Sequence, residues 1–303
     1  MPAPRPPVRW ARFLASLLAI GLTGLAVALI VPRVVPERSS PGPVDPEVNP
    51  EEIVHLHAVG VNPGDGLPYL ATHTGMLTYD ESGTLVRVAD RYQDTMGFVV
   101  LEDDRFLASG HPDLREDAPS SLGLVLSDDA ARSWQPVSLR GDADLHAIVL
   151  AHGKVYAADA TSSQIMVSED DGRRWERRGT ADVATLAVDP TDQDALVAAD
   201  HAGRLQRSGD GGRTWQPVEG PLVASLAWDG EVGLVGVGSD GAVYSSDDGG
   251  ATWRPTGDLG GSGPVITAAD GMVWAATEGG RFLRSEDGGT TWTPYRPPGS
   301  GRR

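Results

Sequence analysis

Short apolar runs with small residues at their centre recur along this chain, each about eight residues before a serine. Val155-Tyr-Ala-Ala-Asp159, Leu196-Val-Ala-Ala-Asp200, Leu234-Val-Gly-Val-Gly238 and Val273-Trp-Ala-Ala-Thr277 fall in one column. Tyr69-Leu-Ala-Thr-His73 and Phe106-Leu-Ala-Ser-Gly110 fit the same column. Runs of this length, bounded by glycine, aspartate and serine, read as short buried strands. Within one unit the pattern predicts four strands: His146–Leu150, Val155–Asp159, Gln164–Ser168 and Trp175–Arg178. No long amphipathic helical pattern appears after residue 50, which excludes a helical solenoid.

The serine that follows each run opens a motif. Ser208-Gly-Asp210-Gly-Gly212-Arg-Thr214-Trp215, Ser246-Asp-Asp248-Gly-Gly250-Ala-Thr252-Trp253 and Ser285-Glu-Asp287-Gly-Gly289-Thr-Thr291-Trp292 carry it in full. Ser168-Glu-Asp170-Asp-Gly172-Arg-Arg174-Trp175 departs at Arg174, and Ser127-Asp-Asp129-Ala-Ala131-Arg-Ser133-Trp134 has lost the glycine. Successive serines lie 41, 40, 38 and 39 residues apart. A sixth, degenerate copy places Asp80-Glu-Ser-Gly-Thr-Leu85 at the motif position, with Leu85 in place of tryptophan. A fixed period near 40 marks a repeat architecture, and four-stranded sheets repeated radially make a β-propeller. The expected fold is therefore all-β, a six-bladed propeller over residues 51–298 with a tail at 299–303.

The first 50 residues lie outside the repeats. Phe13 to Val31 is a run of 19 residues without a charge, preceded by Arg5, Arg9 and Arg12. A bilayer core takes about 20 apolar residues as helix, so a transmembrane anchor is expected at 13–31. Residues 1–12 then form a basic cytoplasmic N-terminus, by the bias of arginines before the run. Ala26-Val27-Ala28 leaves open a cleaved signal peptide and a secreted product, with a start near Leu29. Six prolines between Pro32 and Pro50 predict an extended spacer over 32–50. Either way the repeats are expected outside the cytoplasmic membrane, with the full chain single-pass if the helix stays.

Charge and cysteine content narrow the chemistry. There are 25 Lys+Arg against 42 Asp+Glu, a formal net charge of −17. An acidic chain does not suit nucleic acid, whose phosphates call for a basic face. There is no cysteine, so no disulfide framework, thiolate nucleophile or thiolate metal site. Glycine-rich phosphate loops, HExxH helices and nucleophile elbows are all missing.

The Ser-x-Asp-x-Gly-x-Thr-Trp pattern resembles the Asp-box (bacterial neuraminidase) repeat of sialidases, sortilin-type receptors and photosystem II assembly propellers. HLHAVGVNP, ATHTGMLTYD, ADRYQDTMGF and SGHPDLRED look like a family of exported bacterial Asp-box proteins labelled glycosylhydrolases. The resemblance implies the fold and says little about activity, because one scaffold hosts many functions. The matched aspartates are expected to bond the turn between the third and fourth strands rather than a ligand. The tryptophans are expected to wedge between sheets.

Function is then expected on the opposite face, where second-to-third loops and interblade connections meet. Six of the seven histidines map there, His152 excepted. One reading is a glycoside hydrolase. It requires two carboxylates about 5–5.5 Å or 6.5–9.5 Å apart, drawn from Asp94, Asp113 and Glu116 (with Asp117 nearby), or Tyr92 as a sialidase-like nucleophile. Sialidases, however, clamp their substrate with three arginines, one in an Arg-Ile/Leu-Pro motif absent from this chain, where Arg91, Arg115 and Arg140 are the candidates. A second reading is a non-catalytic binding or assembly module for an extracytoplasmic protein or glycan. The third is a metal centre. His55 and His57 alternate on one strand face, His73 and His111 begin facing loops, and Asp94 and Asp113 are placed to ligate or to orient an imidazole. Without cysteine, such a nitrogen and oxygen set suits zinc or copper(II).

Overall fold

The computed structural model describes residues 45–49, 53 and 55–297. The expected membrane helix at 13–31, the basic segment 1–12, most of the spacer and the tail lie outside the described residues. Among the described residues no helix is long and apolar enough to cross a membrane.

Six four-stranded antiparallel sheets follow one another in chain order. The first holds β1 (Leu56–Val61), β2 (Pro68–Thr72), β3 (Gly75–Tyr79) and β4 (Leu85–Arg87). The second holds β5 (Asp94–Glu102), β6 (Arg105–His111), β7 (Leu124–Ser127) and β8 (Gln135–Ser138). The third holds β9 (Leu145–Ala151), β10 (Lys154–Asp159), β11 (Gln164–Ser168) and β12 (Glu176–Thr180), within two residues of the strands predicted for this unit. The fourth runs β13 (Thr185–Val188), β14 (Leu196–Ala199), β15 (Leu205–Ser208) and β16 (Gln216–Pro217). The fifth runs β17 (Ser225–Asp229), β18 (Gly233–Val237), β19 (Ala242–Ser246) and β20 (Arg254–Asp258). The sixth runs β21 (Val265–Ala269), β22 (Met272–Thr277), β23 (Arg281–Ser285) and β24 (Thr293–Pro294). First strands β1, β5, β9, β13, β17 and β21 neighbour one another in a closed circuit, which makes the ring a six-bladed propeller.

Small residues on the second strands allow the blades to pack. Ala71, Ala108, Ala157, Ala198 and Ala275 are completely buried. A bulkier side chain at these positions would force neighbouring sheets apart, because interiors are close-packed. The five motif tryptophans occupy equivalent places. Trp134, Trp175, Trp215, Trp253 and Trp292 each pack into the apolar cluster between their own blade and the preceding one. Leu85 does the same at the seam between the sixth and first blades.

The loops between third and fourth strands are stabilised locally. In the five copies from Ser127 to Ser285 the serine hydroxyl donates to the aspartate Oδ1 over 2.7–3.0 Å. The serine Oγ in turn accepts the backbone N–H of the residue four positions after the serine, at 2.8–2.9 Å. Thr214, Thr252 and Thr291 donate their hydroxyls to the second carboxylate oxygen at 2.6–2.7 Å. These aspartates build turns, as expected, and their lone pairs are committed to the chain itself.

Ring closure uses no exchanged strand among the described residues, since every sheet takes its four strands in sequence. Ile53 accepts from the Gly279 N–H at 3.4 Å, and Tyr79 stacks edge-on against Phe282 with centroids 5.4 Å apart. The end of the expected spacer belongs to the fold. Val48 donates to Leu85 at 3.0 Å, Arg87 donates to Pro46 at 2.9 Å, and Val48 is buried. Residues 46–48 thus cover the exposed edge of β4, which satisfies backbone groups that an open edge would leave free.

Candidate functional site

The first strands of blades one to three begin on the same face, and polar residues at their starts converge. His57 lies on β1, Asp94 opens β5, and Asp144 and His146 flank the start of β9. His73 sits in the β2–β3 turn, next to Thr74, which is anchored by the Thr72 hydroxyl. The His73 Nδ1–H donates to Asp94 Oδ1 at 2.9 Å, and His57 Nε2 lies 3.7 Å from the same oxygen. The imidazole rings of His57 and His73 meet edge-on with centroids 4.4 Å apart. One ligand atom from each of His57, His73 and Asp94 lies within 4.8 Å of the others. His57 Nε2 is shielded from solvent and has no hydrogen-bond partner. Burial first, then the neighbouring His73, pushes the His57 imidazole down to about 4, so it stands neutral with a lone pair at neutral pH.

His55 is exposed and its ring centroid is 5.5 Å from that of His73. Its backbone adopts φ +58°, a left-handed conformation uncommon for residues with a side chain. His55 therefore stands beside the three-residue group rather than in it.

His111 and Asp113, two of the expected metal ligands, are drawn elsewhere. Asp94 and His111 are register partners across β5 and β6, but the His111 ring faces the next blade. Its Nδ1–H donates to the Ser120 carbonyl at 2.7 Å, and its Nε2 is 3.4 Å from Asp144 Oδ2. Asp144 also accepts from His146 Nε2 at 2.9 Å, and its other oxygen, Oδ1, is buried without a partner. His201 continues the series into blade four, with its ring 6.4 Å from that of His146 and its Nδ1 2.5 Å from Asp182. Sequence reasoning placed His146 on this face, as one of six histidines, and assigned no role to it or to Asp144. Their alternation at the start of a first strand repeats that of His55 and His57, and this was the available signal.

Asp113 is buried and saturated. Arg115 reaches it through Nε at 3.0 and 3.1 Å and through a terminal nitrogen at 2.6 Å, and the Tyr92 N–H donates to it at 2.9 Å. The Arg115 hydrogen bonds hold its carboxyl far below the usual range, so it carries no proton to donate. Glu116 is tied to Arg91 by an ion pair. Tyr92 is half exposed, its ring flanked by Arg87 at 3.9 Å and Arg115 at 4.9 Å from guanidinium carbon to centroid. Of Asp94, Asp113 and Glu116, Asp94 alone is not held by an arginine, and it faces the histidines.

No family model matches the chain, and no curated protein matches it. Among solved structures, a chain of the Nidogen/Laminin complex is 12% identical, with a TM-score of 0.54 over 80% of this chain and 94% of that one. An ancestral GH74 enzyme is 15% identical at a TM-score of 0.52, covering 84% of this chain but 39% of its own length. The YCF48 structure from Cyanidioschyzon merolae is 18% identical at a TM-score of 0.47, covering 79% of this chain and 84% of that one. At these identities the likeness concerns the fold, which is that of a six-bladed β-propeller.

Proposed function

We propose that this chain is a binding or assembly module whose ligand docks on the histidine-lined loop face of blades one to four. In this reading residues 13–31 hold the ring at the outer side of the cell membrane, and the proline-rich stretch after them sets its distance from the bilayer. The ligand is an extracytoplasmic protein or glycan, and a metal ion on the same face takes part in holding it. The observation that carries the reading is the pair of shielded atoms, His57 Nε2 and Asp144 Oδ1, which stand near the starts of β1 and β9 without a hydrogen-bond partner from the chain. Buried polar atoms are nearly always satisfied, so two unpartnered ones at the starts of first strands on a polar loop face are places for a ligand to fill.

A glycoside hydrolase is the runner-up and is less well supported. It needs one protonated and one ionised carboxyl across the scissile bond, whereas Arg115 and Arg91 neutralise Asp113 and Glu116.

A photo-crosslinking residue in place of Leu114, fully exposed in the β6–β7 loop, tests the reading against the same residue in place of Glu169, on the Ser-x-Asp face. Irradiation of intact cells is expected to give defined adducts from position 114 and none from 169. Equal labelling of both faces, or turnover of aryl glycosides that Asp94→Asn abolishes, would overturn it.

A further inference from the structure

We propose that His57, His73 and Asp94 form a three-ligand centre for a divalent transition ion, zinc or copper(II), with His55 poised as an additional donor. The inference rests on the binding-face reading and names the ion that this face holds.

The distances lie close to those around a bound ion, with all three ligand atoms within 4.8 Å of one another. An ion bound at about 2.0–2.1 Å in tetrahedral geometry keeps its ligand atoms about 3.4 Å apart. The two separations to Asp94 Oδ1 are 2.9 Å from His73 and 3.7 Å from His57, on either side of that value. His73 is the more exposed of the two histidines, with 43% of its side chain accessible against 15% for His57. It is therefore free to adjust by the few tenths of an ångström that closure requires. On ligation His73 takes its other neutral tautomer, with the proton on Nε2 and the Nδ1 lone pair on the ion, and Asp94 changes from hydrogen-bond acceptor to ligand.

The hydrogen-bond arrangement points the same way. His57 Nε2 is shielded and makes no hydrogen bond, with Asp94 Oδ1 at 3.7 Å beyond hydrogen-bond reach. An imidazole kept only for packing would be replaced there by an apolar ring at no loss of hydrogen bonding, whereas a metal satisfies the lone pair. Two imidazoles and one carboxylate suit a borderline ion. Calcium and magnesium call for six or more oxygen donors, which this group does not offer.

Two of the three ligands lie on the first strands of adjacent blades, His57 on β1 and Asp94 on β5, and His73 comes from the tight two-residue turn between β2 and β3. Three protein ligands leave a coordination position open. His55 is placed to fill it, since its ring approaches His73 and its backbone N–H points to Glu278 of the last blade at 3.5 Å. When His55 swings away, a donor from the docked ligand takes its place.

The experiment uses the full-length protein in detergent, stripped with chelator and titrated with zinc chloride by calorimetry, with metal content read by mass spectrometry. One ion per chain is expected. His57→Gln and His73→Ala should each weaken binding by at least ~100-fold, beyond the ~10–100-fold that loss of an outer-shell partner costs. His55→Ala should keep the stoichiometry with a smaller loss, and His111→Ala should stay within about twofold of wild type. Copper(II) loading should give nitrogen hyperfine structure from the imidazoles in electron paramagnetic resonance, reduced by one nitrogen in His57→Gln. Unchanged zinc affinity in both His57→Gln and His73→Ala, with their thermal unfolding unaltered, would overturn the centre, as would a wild type that binds neither ion. If the face-specific crosslinks at position 114 survive chelation while zinc fails to bind, the metal is refuted and the binding face stands.

Discussion

The hydroxyl of Tyr295 donates to the backbone carbonyl of Gly66 across 3.1 Å, although the two are 229 residues apart. Tyr295 also packs near Trp274 and Tyr79, with ring centroids 5.5 and 6.2 Å away. Tyr295 thus ties the last blade to the first through an aromatic cluster and a hydrogen bond, in addition to the Gly279–Ile53 and His55–Glu278 hydrogen bonds. Tyr295→Ala is expected to lower stability by about 2 kcal/mol, below the ~3–5 kcal/mol of a fully buried aromatic because the side chain is half-buried. Tyr295→Phe should cost only about 1 kcal/mol, the net worth of one hydrogen bond. Urea unfolding measures both, and equal losses would mean that the ring packing contributes nothing at the seam.

The Ser-x-Asp turns make the ring acid-sensitive. Hydrogen bonds from the Thr252 and Thr291 hydroxyls, then from backbone N–H groups, hold Asp248 and Asp287 down to about 2. Their folded values lie below the ordinary value of 3.8. The stabilisation is therefore complete above that value and is lost as pH falls through about 2. Thr252→Val with Thr291→Val should raise both carboxyl values and move the onset of acid unfolding to higher pH. An acid titration followed by circular dichroism in which wild type and double variant coincide would contradict this.

Ala130 stands at φ +54°, where three other copies of the turn have glycine, as Gly249 does at φ +66°. A left-handed backbone costs an L-residue about 1–2 kcal/mol, partly offset by the extra chain entropy glycine loses on folding. Ala130→Gly is expected to stabilise by about 0.5–1 kcal/mol and Gly249→Ala to destabilise by a similar amount or more. A Cβ on Gly249 would meet nothing closer than 3.5 Å, so the comparison isolates the backbone. Thermal melts of the two variants should shift in opposite directions.

Asp113 is predicted to be a structural anchor. Asp113→Ala removes the acceptor for the Tyr92 and Arg115 backbone N–H groups and for the Arg115 guanidinium. Hydrogen bonds to charged groups contribute about 1.5–3 kcal/mol. Amide exchange at Tyr92 and Arg115 should therefore accelerate by roughly 10–100-fold, while zinc binding at His57 and His73 stays unchanged. Loss of zinc affinity in this variant would place Asp113 in the metal centre after all.

Much of the molecule was legible from sequence because it is local. The Ser127-to-Trp134 and Ser208-to-Trp215 motifs bond within themselves, over two to four residues. The small-residue strands repeat because every blade must pack against a like neighbour, so period and pattern alone indicate six blades. His57 and His73 belong to one blade and were placed together from sequence, with Asp94 on the adjoining strand as a ligand or an orienting group. Only the tertiary structure decided that His111 turns to Ser120 and Asp144, and that residues 46–48 pair with β4 rather than extending as a spacer. It also decided which imidazole is left without a partner. A repeat records what each blade needs for itself, whereas the meeting of loops from different blades depends on ring closure, which brings His55 beside Glu278, 223 residues away.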